Sequence, residues 1–236
     1  MRSIFYLLCL LFIVLSCQEE AAITFSEETF TTSQNKIVEI NIPIAEGRDA
    51  VKNNINKSIE EVISASLRLD QELEAKNKSI SESIDMFNSE YASFKSEFPD
   101  SAIEWEAQID GEIMYQTDAV ISVAITSYLN TGGAHGSLVI TFLNFDALTG
   151  QSLENEQLFN DFNAFKTLAK DYFNDHIADK KELYFEPDNF ILPANIGFND
   201  SGIILLYNSY EVAPYSTGLT EFTIPFDAIM PYLNYM

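Results

Sequence analysis

At Ile103 the apolar residues change their period, and no other feature of this chain constrains its fold as strongly. Upstream, from Asp49 to Phe98, apolar residues recur every three or four positions. Downstream, Ile103, Trp105, Ala107 and Ile109 alternate with charged and polar residues. The first period lines one face of a helix; the second lines one face of a strand. Helices that come in runs and strands that come in runs argue against a βαβ alternation. They predict an α+β fold, an antiparallel sheet with helices packed on it, in two lobes.

Ile23–Thr31 and Lys36–Ile44 read as two strands with Ser33-Gln34-Asn35 as their turn. Asp49 is placed to cap a helix to Leu69, with Val51, Ile55, Ile59, Val62, Ile63 and Leu67 on one face. Asp70–Lys78 is polar and interrupts the pattern. Ser79 and Glu82 form a capping box for a second helix, which Pro99 ends. Its stripe of Ile80, Ile84, Phe87, Tyr91, Phe94 and Phe98 reads as core. A strand follows at Ile103–Ile109, which Gly111–Gln116 either continues or bends, then strands at Val120–Leu129 and Leu138–Phe145 and a tight turn at Asp146–Gly150 whose glycine suits positive φ. Leu153–Phe159 is a short helical or turn piece. Asp161 caps a helix to Ile177. Phe190–Phe198 and Gly202–Tyr207 form a hairpin across Asn199-Asp200-Ser201. Leu219–Ile224 is a last strand and Phe226–Leu233 a short closing helix. The expected division is a signal segment at 1–16, a tether at 17–22, an N-terminal α+β lobe at 23–101 and a C-terminal α+β domain at 102–236.

Arg2 precedes the uncharged apolar run Ile4–Leu15, twelve residues long. That is shorter than the roughly 20 residues of a membrane-spanning helix and suits a signal peptide. Val14-Leu15-Ser16-Cys17 resembles a bacterial lipobox, which makes Cys17 the expected lipidation site. Gln18-Glu19-Glu20 resembles a surface-export signal of Bacteroidota lipoproteins. The expected location is the cell envelope, lipid-anchored at the outer membrane, with either face open. Cys9 and Cys17 are the only cysteines. The mature domain therefore has no disulfide to lean on and must be held by its core. About 220 residues bury roughly 70 % of the unfolded surface, so that core is within reach.

The chain holds 13 Lys and Arg against 36 Asp and Glu, a net charge of −23, which becomes −24 once Arg2 is removed. Such a surface repels nucleic acid and favours cationic partners. The chain has two histidines, His135 and His176, and no Gly-x-Ser-x-Gly elbow, phosphate-binding Gly-Lys-Ser/Thr loop or calcium loop motif. Catalytic residues, a metal site and a cofactor are accordingly not expected. His176, near the end of its helix, reads as a surface histidine.

Two loops between strand-like runs stand out, Thr131–Gly136 and Tyr210–Gly218. Both carry glycine, and the two are expected to lie close together. Tyr128, Gly132, Gly133, His135, Tyr210, Glu211, Tyr215 and Gly218 are the ligand-binding candidates. The tyrosines then flank His135 as an amphipathic patch able to stack on a sugar or on a partner protein.

Three further stretches carry a family resemblance. They are the tyrosine-bearing strand leading into Gly132-Gly133-Ala134-His135, the Asn144-Phe145-Asp146…Thr149-Gly150 turn, and Phe190…Gly202-Ile203…Tyr207…Tyr210-Glu211-Val212-Ala213-Pro214-Tyr215…Gly218…Ile224-Pro225. Over Ile103–Leu233 the chain resembles the extracellular domain of RsiV-like anti-sigma factors, also found in PdaC-like peptidoglycan deacetylases. The preceding strand and helix resemble the smaller domain of unknown function that accompanies it. The resemblance implies an α+β, non-catalytic envelope domain and, for the RsiV branch, lysozyme binding. Two readings follow. The first is a lipid-anchored binding module for a basic lysozyme-like protein or a peptidoglycan glycan. The second is a glycan-active envelope enzyme using acidic residues near His135.

Overall fold

A computed structural model describes residues 22–32, 37–69 and 78–235. The lipobox with Cys17, the Ser33-Gln34-Asn35 turn and the polar stretch 70–77 lie outside the described residues. The fold is α+β, and the described residues form four helices and two sheets. Strands β1 (Thr24–Thr31), β2 (Val38–Glu46), β3 (Glu106–Gln116), β4 (Val120–Asn130) and β5 (Ser137–Asp146) form one sheet in that spatial order. Strands β6 (Asn195–Asn199), β7 (Gly202–Tyr207) and β8 (Thr220–Pro225) form the other. All pairings are antiparallel except β2 with β3, which run parallel. Parallel neighbours need a long crossover. Here helices α1 (Asp49–Ser66) and α2 (Ile80–Glu97) supply it. The stretch Pro99–Ala102 leads from α2 into β3, so the chain before and after it shares one sheet.

Helix α1 buries Val51, Ile55, Ile59 and Ile63, with Leu67 just beyond its end, against Val38, Ile40 and Ile42 of β2. Each such side chain contributes about 1.5–3 kcal/mol when fully buried. Asp49 does not cap this helix. Arg48 holds the cap position with no side-chain bond, while the Asp49 carboxylate pairs with Lys52 at 2.8 Å. The Arg48 guanidinium instead donates to the Ala147 carbonyl at 3.1 Å and ties the helix start to the turn after β5.

The capping box of α2 forms as expected. The Glu82 amide donates to Ser79 Oγ at 3.2 Å, and the Ser79 amide donates to the Glu82 carboxylate at 2.8 Å. Phe87, Tyr91 and Phe94 surround Trp105 with ring centroids 5.5–5.6 Å apart. Phe98 falls outside the stripe and is exposed, because the helix has ended at Glu97. Ile103 is likewise exposed and precedes β3, which begins at Glu106.

Beyond β5 the chain builds a second core. Asp161 caps helix α3 (Phe162–Ile177), accepting from the Ala164 amide at 2.9 Å. Phe165, Ala169, Phe173 and Ile177 meet Phe198, Leu205, Tyr207 and Ile224 of the second sheet. Strand β6 starts only at Asn195. The preceding residues are pinned by Tyr207, whose hydroxyl donates to the Ile191 carbonyl. The closing helix is one α turn, α4 (Phe226–Ile229), followed by a 3-10 turn at Met230–Tyr232.

Polar side chains join the two sheets where β6 meets β4 and β5. The Phe198 amide donates to Ser122 Oγ at 3.0 Å, Asn144 Nδ2 donates to the Ile196 carbonyl at 2.7 Å, and the Phe142 amide donates to Asn195 Oδ1 at 3.2 Å. Gly197 sits in this seam, where a Cβ would lie 2.8 Å from the Phe142 ring. Buried backbone groups need such partners when no ladder reaches them.

His176 is half-buried at the end of α3, 5.8 Å from the Phe222 ring, with its Nε2 3.1 Å from Lys180 Nζ. Desolvation, and then the Lys180 charge, hold its pKa below the ordinary value. The neutral imidazole is favoured there, and the residue expected at the surface is partly covered.

Candidate functional site

The turn after β4 begins with Asn130, whose carboxamide oxygen accepts from the Gly132 amide at 3.1 Å. Gly132 takes φ +95°, and a Cβ there would lie 2.5 Å from Ile103. Gly133 is exposed and has φ outside the positive region. Gly136 is buried directly on the Tyr128 ring, which leaves no room for a Cβ. Tyr128 is therefore the floor of this loop. It lies beneath the residue that follows His135.

The second loop leaves β7 through Asn208. The Asn208 carboxamide accepts from the Ile140 amide at 2.9 Å and donates to the Ile140 carbonyl at 3.0 Å. This two-way bond fixes the start of the loop against β5, four residues after Gly136. It is why the two loops meet.

At their junction the His135 ring stacks on Tyr215, with centroids 3.6 Å apart and planes 14° from parallel. Tyr210 completes the group, 5.9 Å from Tyr215 and 6.4 Å from His135. The Tyr210 hydroxyl lies 3.4 Å from His135 Nε2, and the Tyr215 hydroxyl donates to the Gly136 carbonyl at 3.3 Å. His135 Nδ1 lies 3.0 Å from the same carbonyl. All three rings face solvent, Tyr210 at 58 % exposure.

Tyr210 has φ +72°, the only positive value among the described non-glycine residues. A side chain in that region costs about 1–3 kcal/mol and is tolerated where the surroundings hold it. Here the Tyr210 amide donates to the Ala213 carbonyl and the Glu211 amide to the Asn208 carbonyl, each at 3.1 Å. Ala213 is buried, so the strained turn is anchored from beneath and holds Tyr210 outward. Glu211 lines a cavity shared with Tyr184 and Ile191, which none of the three rings lines. Gly218 takes φ +78° with open space around it, and it turns the chain into β8.

The structure thus brings His135, Tyr210 and Tyr215 together, places Tyr128 and Gly136 beneath them, and sets Glu211 and Gly218 apart. Sequence reasoning missed Asn208. A single asparagine after an apolar strand gives no local sign of its distant partner. The ring group offers flat apolar faces and three polar tips, with no carboxylate bonded to His135 among the described residues, a surface for stacking and hydrogen bonding. Among the described residues no three His, Cys, Asp or Glu side chains group as metal ligands, and no helix is long and apolar enough to cross a membrane.

Comparison with known proteins divides the chain at the turn just described. Residues 30–138 match the family model described as deacetylase PdaC, and residues 138–227 match that of a protein of unknown function, DUF3298. A crystal structure of a DUF3298 family member from Bacteroides fragilis is 20 % identical with a TM-score of 0.61. That match covers 91 % of this chain and 95 % of that one. A DUF3298 family protein from Pseudomonas aeruginosa is also 20 % identical with a TM-score of 0.57, covering 90 % and 93 %. At this identity the likeness establishes a shared fold. No curated protein matches the sequence.

Proposed function

We propose that this chain, which belongs to the proteins pairing a PdaC-like domain with a DUF3298 domain, is a non-catalytic, lipid-anchored binding module of the cell envelope. Its partner is a basic protein of the lysozyme type. The observation that carries this reading is the exposed stack of His135, Tyr215 and Tyr210, held by a strained turn on a strongly acidic molecule. Rigid aromatic groups with polar tips make effective anchors in protein interfaces. The net charge of −23 adds long-range attraction for a cationic partner. Charge alone gives promiscuous binding, so specificity rests with the rings.

Titration with lysozyme at low and high salt, beside an unrelated basic protein, tests the reading. Lysozyme should bind more tightly than the control, and Tyr215→Ala should weaken it about tenfold or more. Binding should fade with salt as the screening length falls from about 10 Å at 0.1 M to roughly 3 Å at 1 M. Equal affinity for both proteins would reduce the effect to charge. Binding to peptidoglycan fragments without lysozyme binding would make the ligand a glycan.

The anchor in this reading is Cys17. A Cys17→Ser variant should leave the membrane fraction or accumulate as precursor. A mature-sized variant that stays on the membrane would overturn the anchor and leave the binding site untouched.

A further inference from the structure

Behind the Tyr210 turn lies a cavity of about 240 Å³ between the second loop and the segment after α3. Its base is aromatic, made by the buried rings of Phe173 and Tyr184. Phe185 and Ile191 stand at its mouth, 56 % and 60 % exposed, an unusual outlay of apolar surface on so acidic a chain. Two carboxylates line it, Glu186 and Glu211. The Asn189 side-chain Nδ2 donates to the Glu186 carboxylate at 2.9 Å and holds it in place. Among the described residues neither carboxylate lies within ion-pair distance of a lysine or arginine. Nearby Lys181 is taken up by Asp188 at 3.4 Å, and Lys180 by His176. The wall is fixed to the second loop by the Phe185 amide, which donates to the Val212 carbonyl at 3.0 Å.

We propose that this cavity takes the guanidinium group of an arginine side chain presented by the basic partner. The inference rests on the reading of the protein as a binder of basic proteins and names the group recognised. The volume falls below the roughly 300–1,000 Å³ of sites for drug-sized molecules and suits a single long side chain. Aromatic and aliphatic walls accept the apolar stem, and a planar cation stacks on ring faces. Two carboxylates at the wall meet the donor fork of a guanidinium better than they meet a point charge. Partial burial raises the Glu211 carboxyl from its ordinary value, opposed by hydrogen bonds from Asn208. An arriving cation offsets that burial cost. Because Glu211 follows Tyr210 directly, the strained turn that carries one ring of the stack also carries one carboxylate of the cavity.

The test is an NMR titration of the purified protein with N-acetyl-arginine amide, observing the methyl signals of Ile191 and Val212. N-acetyl-citrulline amide, which is isosteric and uncharged, is the control. The arginine derivative should shift both signals saturably, and the citrulline derivative should bind at least about fivefold more weakly. Glu186→Gln with Glu211→Gln should remove that preference while leaving the fold intact, since both carboxylates reach solvent. Equal shifts by both derivatives, or no shift of Ile191 and Val212, would overturn the pocket. Lysozyme binding without a response to the arginine derivative would overturn the pocket alone. A saturable response in a protein that ignores lysozyme would overturn the partner and keep the pocket.

Discussion

Trp105→Ala should destabilise the protein by about 3–5 kcal/mol, the range for emptying a large aromatic site in a core. Trp105 is 8 % exposed and sits against Phe87, Tyr91 and Phe94 of α2. Tyr91 and Lys95 both bond to Glu104, so the same contact fixes the approach of the chain into β3. Urea denaturation followed by far-UV circular dichroism would measure the loss, because the substitution removes the only tryptophan and with it the fluorescence signal. The midpoint should fall at an unchanged slope. Phe98→Ala is the control. Its ring is half exposed, so the cost should stay within about 0.5 kcal/mol. Comparable effects at the two positions would mean that Trp105 is not a core residue.

Gly150→Val should cost about 3 kcal/mol or more, from two separate causes. Gly150 has φ +69°, where a β-branched residue is a genuine outlier. Its missing Cβ also faces the backbone of Val51, with the Val51 Cα only 2.9 Å away. Backbone in the first turn of α1 cannot yield as a flexible side chain does, so the helix must shift. Gly218→Ala separates the causes. Gly218 has φ +78° but nothing near its missing Cβ, so only the conformational penalty of about 1 kcal/mol applies. Thermal melts of the two variants would show it. Equal losses would mean that steric contact with α1 contributes nothing.

Much of the secondary structure was legible because its causes are local. Ser79 and Glu82 lie three residues apart and satisfy each other's amides within one helical turn. Asp161 does the same for α3. The turn at Gly150 needs positive φ, and glycine supplies it without strain. Asp49 misled because capping residue types also serve as the first helical residue, and Lys52 offered its carboxylate a charged partner. Ile103 misled because alternation continues past the end of the hydrogen-bonded ladder, and its side chain covers Gly132 instead of the core.

The candidate site was legible only in part. Glycines, a lone histidine and tyrosines marked the two loops, and the rings of His135 and Tyr215 do stack. Tyr128 was assigned to the rim and lies under Gly136, because its position on β4 points it at the loop's own backbone. The acidic cavity left no sequence signal, since Glu186 and Glu211 are two among 36 acids and meet only through folding.

By itself the sequence determined which residues are helical or extended and which face of each element is apolar. Periodicity, capping and turn geometry act across a few residues, so neighbours in the chain suffice to specify them. Only the tertiary structure decided that β2 lies parallel to β3 and that Asn208 clamps Ile140, 68 residues away. It alone decided that Tyr210 meets His135 across 75 residues. Those pairings follow from burying both cores at once and from giving buried backbone groups partners, conditions that bind distant segments together and that no single stretch of sequence records.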